Sequence, residues 1–141
     1  MSFSQPKLIL LYMAYFKHIK TTFLKTFTLK GRDSLTQYLC FQSTQLFAWI
    51  ALFWGLVNEH EVYAKALMWV AGLYLLISLL PLLTSSIRRL HDNDLSGWTL
   101  LLILVPIGNL YLAWLLLRSE DEGDNKYGKA IVKAKVQPQL D

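Results

Sequence analysis

Three long apolar runs alternate with short polar segments along this chain. Residues 39–57, 66–87 and 98–117 contain no Lys, Arg, Asp or Glu. A helix rises about 1.5 Å per residue, so runs of this length match a hydrocarbon core roughly 30 Å thick. Each is therefore predicted to be a transmembrane helix. Upstream, residues 7–28 follow a helical period instead. At 100° per residue, Leu8, Tyr12, Phe16, Ile19, Phe23 and Phe27 share one face. Lys7, Lys17, Thr21 and Lys25 fall opposite, with Lys20 on the shoulder. Aromatic residues on one side and lysines on the other suit a helix lying at the headgroup boundary.

Turn residues separate these elements. Gly31 breaks the first helix, and Asp33 or Ser34 can cap the next. Pro81 predicts a kink in the second span, and Pro106 with Gly108 a kink in the third. Ser96 can start the third span, with Trp98 at the interface. The expected fold is an all-α membrane protein: an interfacial amphipathic helix, three transmembrane helices and a polar C-terminal tail. Residues 1–129 are read as one integral-membrane domain and 130–141 as a flexible tail.

Composition supports this reading. The 141 residues are 54% hydrophobic and 13% aromatic, with a net charge of +4. The basic residues are dispersed and accompany no base-reading motif, so no nucleic acid is expected. They suit anionic lipid headgroups instead. Cys40 is the single cysteine and excludes an internal disulfide.

Charge also orients the chain. Lys7, Lys17, Lys20, Lys25, Lys30 and Arg32 precede the first span. Lys65 lies in the first loop, Arg88 and Arg89 in the second, and Arg118, Lys126, Lys129, Lys133 and Lys135 in the tail. The positive-inside rule puts the N-terminus and second loop in the cytoplasm. Three spans then leave the tail outside, dividing the basic residues eight to six. A re-entrant hairpin bent at residues 106–109 would divide them thirteen to one. Irregular backbone at membrane depth needs protein cover, however, and three spans are expected.

The polar residues offer three kinds of chemistry. His91, Asp92 and Ser96 are the residue types of a hydrolytic triad, but neighbours in sequence point apart and no nucleophile elbow is present. His60 with Glu59 and Glu61 lies one span away from His91, Asp92 and Asp94, too far to share a metal. No catalytic residue, metal or cofactor is expected. The spans contain no ionisable group, which disfavours transport. Gln42, Gln45, Ser85 and Asn109 read as helix-packing polar residues. The remaining reading is a binding or scaffold protein. Arg32, Arg88, Arg89, His91 and Asp92 form its candidate site at the cytoplasmic boundary, where guanidinium forks suit phosphate oxygens. Its expected partners are the lipid bilayer, anionic phospholipids, a second copy or another membrane protein. The alternatives are a subunit of a small oligomeric transporter or channel, and a membrane-embedded enzyme acting on lipid.

Three strings carry a family resemblance. They are Gly31-Arg32, then Arg88-Arg89-Leu90-His91-Asp92 with Ser96-Gly97-Trp98, then Gly123-Asp124-Asn125-Lys126-Tyr127-Gly128. Over residues 10–130 the chain resembles domain-of-unknown-function family 805, small bacterial inner-membrane proteins. The family pattern has an arginine and a tryptophan where this chain has Leu35 and Leu39. The resemblance implies a bacterial inner-membrane location and brings no activity, substrate or cofactor.

Overall fold

The computed structural model describes residues 5–119 and 123–131. Its regular elements are helical: α1 (Gln5–Leu24), α2 (Leu35–Val57), α3 (Val62–Asp92), a 3-10 helix (Gly97–Leu104) and α4 (Pro106–Leu117). The described parts of Met1–Leu29 and Thr36–Ser86 form one compact unit; those of Lys30–Leu35 and Ile87–Asp141 form a second. Most of the expected tail, from residue 132 onward, lies outside the described residues.

In the first unit, α2 and the apolar part of α3 are long and apolar enough to cross a membrane. Gly55 allows their close approach: a Cβ there would lie 2.6 Å from Met68 Cβ and 2.7 Å from the Ala64 carbonyl. Polar side chains join the same helices. The Ser78 hydroxyl donates to Gln45 Oε1 at 3.1 Å, and Gln45 Nε2 reaches the Tyr74 hydroxyl at 3.5 Å. Tyr74 also bonds Thr44. An unpaired amide facing lipid costs more than this pairing, so these groups turn toward one another. Gln42 donates instead to Tyr38 on its own helix, and Ser85 is fully buried. Pro81 is accommodated inside α3, which continues unbroken to Asp92.

α1 ends before the predicted boundary of residue 28. The amide and hydroxyl of Thr26 both donate to the Phe23 carbonyl, closing a turn in place of the helical ladder. Phe27 therefore lies beyond the helix. The face that packs on the unit carries Tyr15, bonded to Ser43, Thr22, bonded to Gln37, and Phe23, edge-on to Phe41. Leu8, Tyr12 and Phe16, expected to share a stripe with Phe23, are exposed.

The second unit departs most from expectation. The run at 98–117 is not one continuous helix. Ser96 accepts from the Trp98 amide and starts the 3-10 helix, which ends at Val105 in an extended conformation. Pro106 then opens α4, which has only 12 residues. Proline lacks the amide needed to extend the preceding ladder and has a backbone angle suited to a helix start. Gly108 makes the junction compact: a Cβ there would meet the Leu102 carbonyl at 2.6 Å. Asn109, expected to pack between helices, is exposed on α4.

Candidate functional site

The charged residues of the second unit converge on the end of α3. Gly31, at φ +96°, turns the chain so that Arg32 and Asp33 meet Arg88, Arg89 and Asp92. Arg88 Nε donates to Asp33 Oδ2 at 2.9 Å, while the Asp33 amide donates to the Arg88 carbonyl at 3.3 Å. Arg32 Nε donates to Asp92 Oδ1 at 2.8 Å, and Arg89 pairs with the other Asp92 oxygen. All five residues are buried. Buried ions of this kind require close pairing, since removing a charge from water is costly.

Among the described residues, these three guanidinium groups pair with two carboxylates. Main-chain carbonyls accept from two of the arginines as well. Arg89 Nε donates to Leu116 at 3.0 Å and its second arm to Arg118, both at the negative end of the α4 dipole. Arg32 donates to the carbonyls of Gly123 at 2.7 Å and Asp92 at 3.3 Å. The arginines thus hold together the turn before α2, the end of α3, the end of α4 and the start of the tail.

The tail is held by a second set of contacts. Asn125 and Gly128 exchange two backbone hydrogen bonds, and Asn125 Oδ1 accepts from the Tyr127 amide. Asn125 Nδ2 donates to the His91 carbonyl at 2.9 Å. The Tyr127 ring stacks on His91 at 3.8 Å with 5° between planes. His91 stacks on Tyr127, Asp92 pairs with the arginines, and Ser96 accepts from the Trp98 amide.

The sequence located Arg32, Arg88, Arg89, His91 and Asp92 near one another, and the structure brings them into one cluster. It also brings in Asp33, Asn93, Asn125 and Tyr127, which were not assigned to the site. Asp33 had a signal in its position beside Arg32, since a second basic pair lies ahead of the second acid. Asn93 had none: its partner is a backbone carbonyl, that of Leu115.

A family described as "Protein of unknown function (DUF805)" matches residues 26–129. The chain is 44% identical over 80 residues to "Inner membrane protein YhaI" of Escherichia coli strain K12. That match covers 55% of this chain and 68% of the relative, and the protein of the same name from Escherichia coli O157:H7 matches equally. No solved structure matches. The matched region spans every member of the buried charged cluster, and the chain belongs to the DUF805 family of membrane proteins.

Proposed function

We propose that this protein is a non-catalytic binding or scaffold protein of the inner membrane that presents a basic cytoplasmic surface to anionic phospholipid headgroups. In this reading the buried arginines build the platform and exposed cations touch the ligand. The observation that carries it is the commitment of Arg32, Arg88 and Arg89 to acceptors of their own chain. The same unit exposes Lys30, Arg118, Lys126 and Lys129. Arg118 lies over the Trp114 ring at 5.9 Å, a pairing suited to the headgroup level. Lys126 makes an exposed 3.6 Å contact with Asp94 that a phosphate can displace, and its ammonium lies 5.1 Å over the Tyr127 ring.

Alternating the basic loops across the bilayer supports a cytoplasmic position for this unit, with α2 and α3 as spans and α1 at the interface. The test is lipid retention. The full chain is purified in detergent, equilibrated with equal amounts of phosphatidylglycerol and phosphatidylethanolamine, and analysed by native mass spectrometry. Preferential retention of phosphatidylglycerol is expected, and R118Q/K126Q/K129Q should lose that preference while remaining folded. Equal retention of both lipids by the wild-type chain, or an unchanged preference in the triple variant, overturns the proposal.

A further inference from the structure

We infer that residues 97–117 form a re-entrant hairpin that dips into the acyl chains of one leaflet and returns to the side it left. The inference rests on α2 and α3 crossing the bilayer and is independent of the headgroup reading. Its central observation joins the two ends of the third apolar run. Asn93 Nδ2 donates to the Leu115 carbonyl at 3.0 Å, and Arg89 Nε to the Leu116 carbonyl at 3.0 Å. A single straight helix from Gly97 to Leu115 would separate its ends by roughly 27 Å. Hydrogen bonds from Arg89 and Asn93 to the far end of the run exclude that arrangement. Arg89 and Asn93 stand at the end of α3, so the hairpin leaves and re-enters where α3 emerges.

The dimensions fit one leaflet. Eight residues of 3-10 helix extend about 16 Å. Twelve residues of α4 extend about 18 Å. Each arm therefore reaches roughly the middle of a 30 Å hydrocarbon core and no further. Acyl chains suit most of the surface: Leu101, Leu104, Ile107 and Leu110 are exposed, with Asn109 an exposed polar side chain among them, on a segment with no Lys, Arg, His, Asp or Glu. Trp98 starts one arm and Trp114 lies near the end of the other, beside Arg118. Both tryptophans then occupy one membrane interface, at the base of the hairpin.

The break is suited to this depth. Irregular backbone in hydrocarbon is costly when its polar groups lack partners. Here the Val105 amide donates to Leu102 and its carbonyl accepts from Asn109. The next residue, Pro106, has no amide to satisfy. The junction thus pairs both backbone polar groups of Val105 internally. The C-terminal segment that follows α4 lies on the same side as the turn before α2, an arrangement consistent with the Arg32–Gly123 hydrogen bond.

Single-cysteine labelling of the full chain in native membranes tests the inference. In a C40S background, E59C, K129C and I107C are treated with a membrane-impermeant maleimide in spheroplasts and in inverted vesicles. Glu59→Cys should label in spheroplasts, Lys129→Cys in inverted vesicles only, and Ile107→Cys in neither. Labelling of Lys129→Cys from the same side as Glu59→Cys overturns the hairpin, as does labelling of Ile107→Cys from either side. Fusions to the unsubstituted C-terminus guard against a misfolded variant. A GFP fusion should fluoresce and an alkaline phosphatase fusion should be inactive; the reverse pattern overturns the inference. These readouts are independent of lipid retention, so loss of the headgroup preference leaves the hairpin standing.

Discussion

Asn93 donates a hydrogen bond to the main-chain carbonyl of Leu115, 22 residues further along the chain. The bond joins the residue following α3 to the last turn of α4. Arg89 reinforces it one residue further on, at Leu116. Together they tie the exit of α3 to the end of the apolar run and make that run a closed excursion. The consequences extend to the charged cluster, whose members sit on the same tie.

Asp92 serves two arginines, and its replacement by asparagine should expose that dependence. Asp92→Asn leaves Arg32 and Arg89 buried without their shared carboxylate. Breaking a buried pair from one side costs about 3–5 kcal/mol. The expected outcome is a large fall in the thermal unfolding midpoint in detergent. Arg32→Gln should fall less, and the double variant should lose less than the two single losses together. Strict additivity would show that Arg32 and Asp92 do not interact.

Arg89 reaches Leu116, Arg118 and Asp92 through different nitrogens. A lysine ammonium is a point donor and cannot span all three. Arg89→Lys should therefore keep the charge but release the end of α4. Hydrogen exchange in detergent should show faster exchange across Pro106–Leu117, with α2 unchanged. Exchange at the wild-type rate in α4 would assign the arginine's role to charge alone.

Two glycines of the helical pair make opposite predictions. Gly55→Ala drives a methyl group into Met68 and the Ala64 carbonyl, whereas Gly72→Ala meets only Leu52 Cδ1 at 3.9 Å. Overpacking costs about 1–3 kcal/mol. Gly55→Ala should lower the unfolding midpoint by several degrees and Gly72→Ala should leave it nearly unchanged. Equal effects would indicate that α2 and α3 do not meet through Gly55.

Tyr127 and Asn125 hold the start of the tail against His91. Asn125→Ala removes the side-chain bonds to the Tyr127 amide and to the His91 carbonyl and leaves only the backbone pair with Gly128. Limited proteolysis of the detergent-solubilised protein should then cut near residues 123–131 faster than in the wild type. Tyr127→Phe retains the stacking ring and should be cut at the wild-type rate. Equal protection of Asn125→Ala would remove the tail contact from the fold.

Much of the fold was legible in local chemistry. The absence of charge over 39–57 and 66–87 specified α2 and the apolar body of α3, because burying an ion in hydrocarbon is costly whatever surrounds it. Gln45 declared its role for the same reason: an amide in an apolar helix needs a partner, and Ser78 and Tyr74 supply it. The strings around Arg32, Arg88 and Gly123 placed the chain in its family, whereas charge alone put Arg32, Arg88 and Arg89 on one face and the tail on the other.

The third apolar run shows where local reading stops. Hydropathy registers which solvent a segment prefers and carries no record of its direction, so a span and a hairpin of equal length look alike. Pro106 marked the bend without setting its angle. That was decided by the close approach at Gly108 and by the bonds of Asn93 and Arg89 to the end of α4. The arginines illustrate the same division. Their position at the end of α3 follows from the sequence, but their burial depends on Asp33, 55 residues before Arg88, and on backbone carbonyls whose identity leaves no trace in composition. Solvent preference is a property of each residue and can be read along the chain; pairing and reversal depend on distances between remote residues, which only the folded chain establishes.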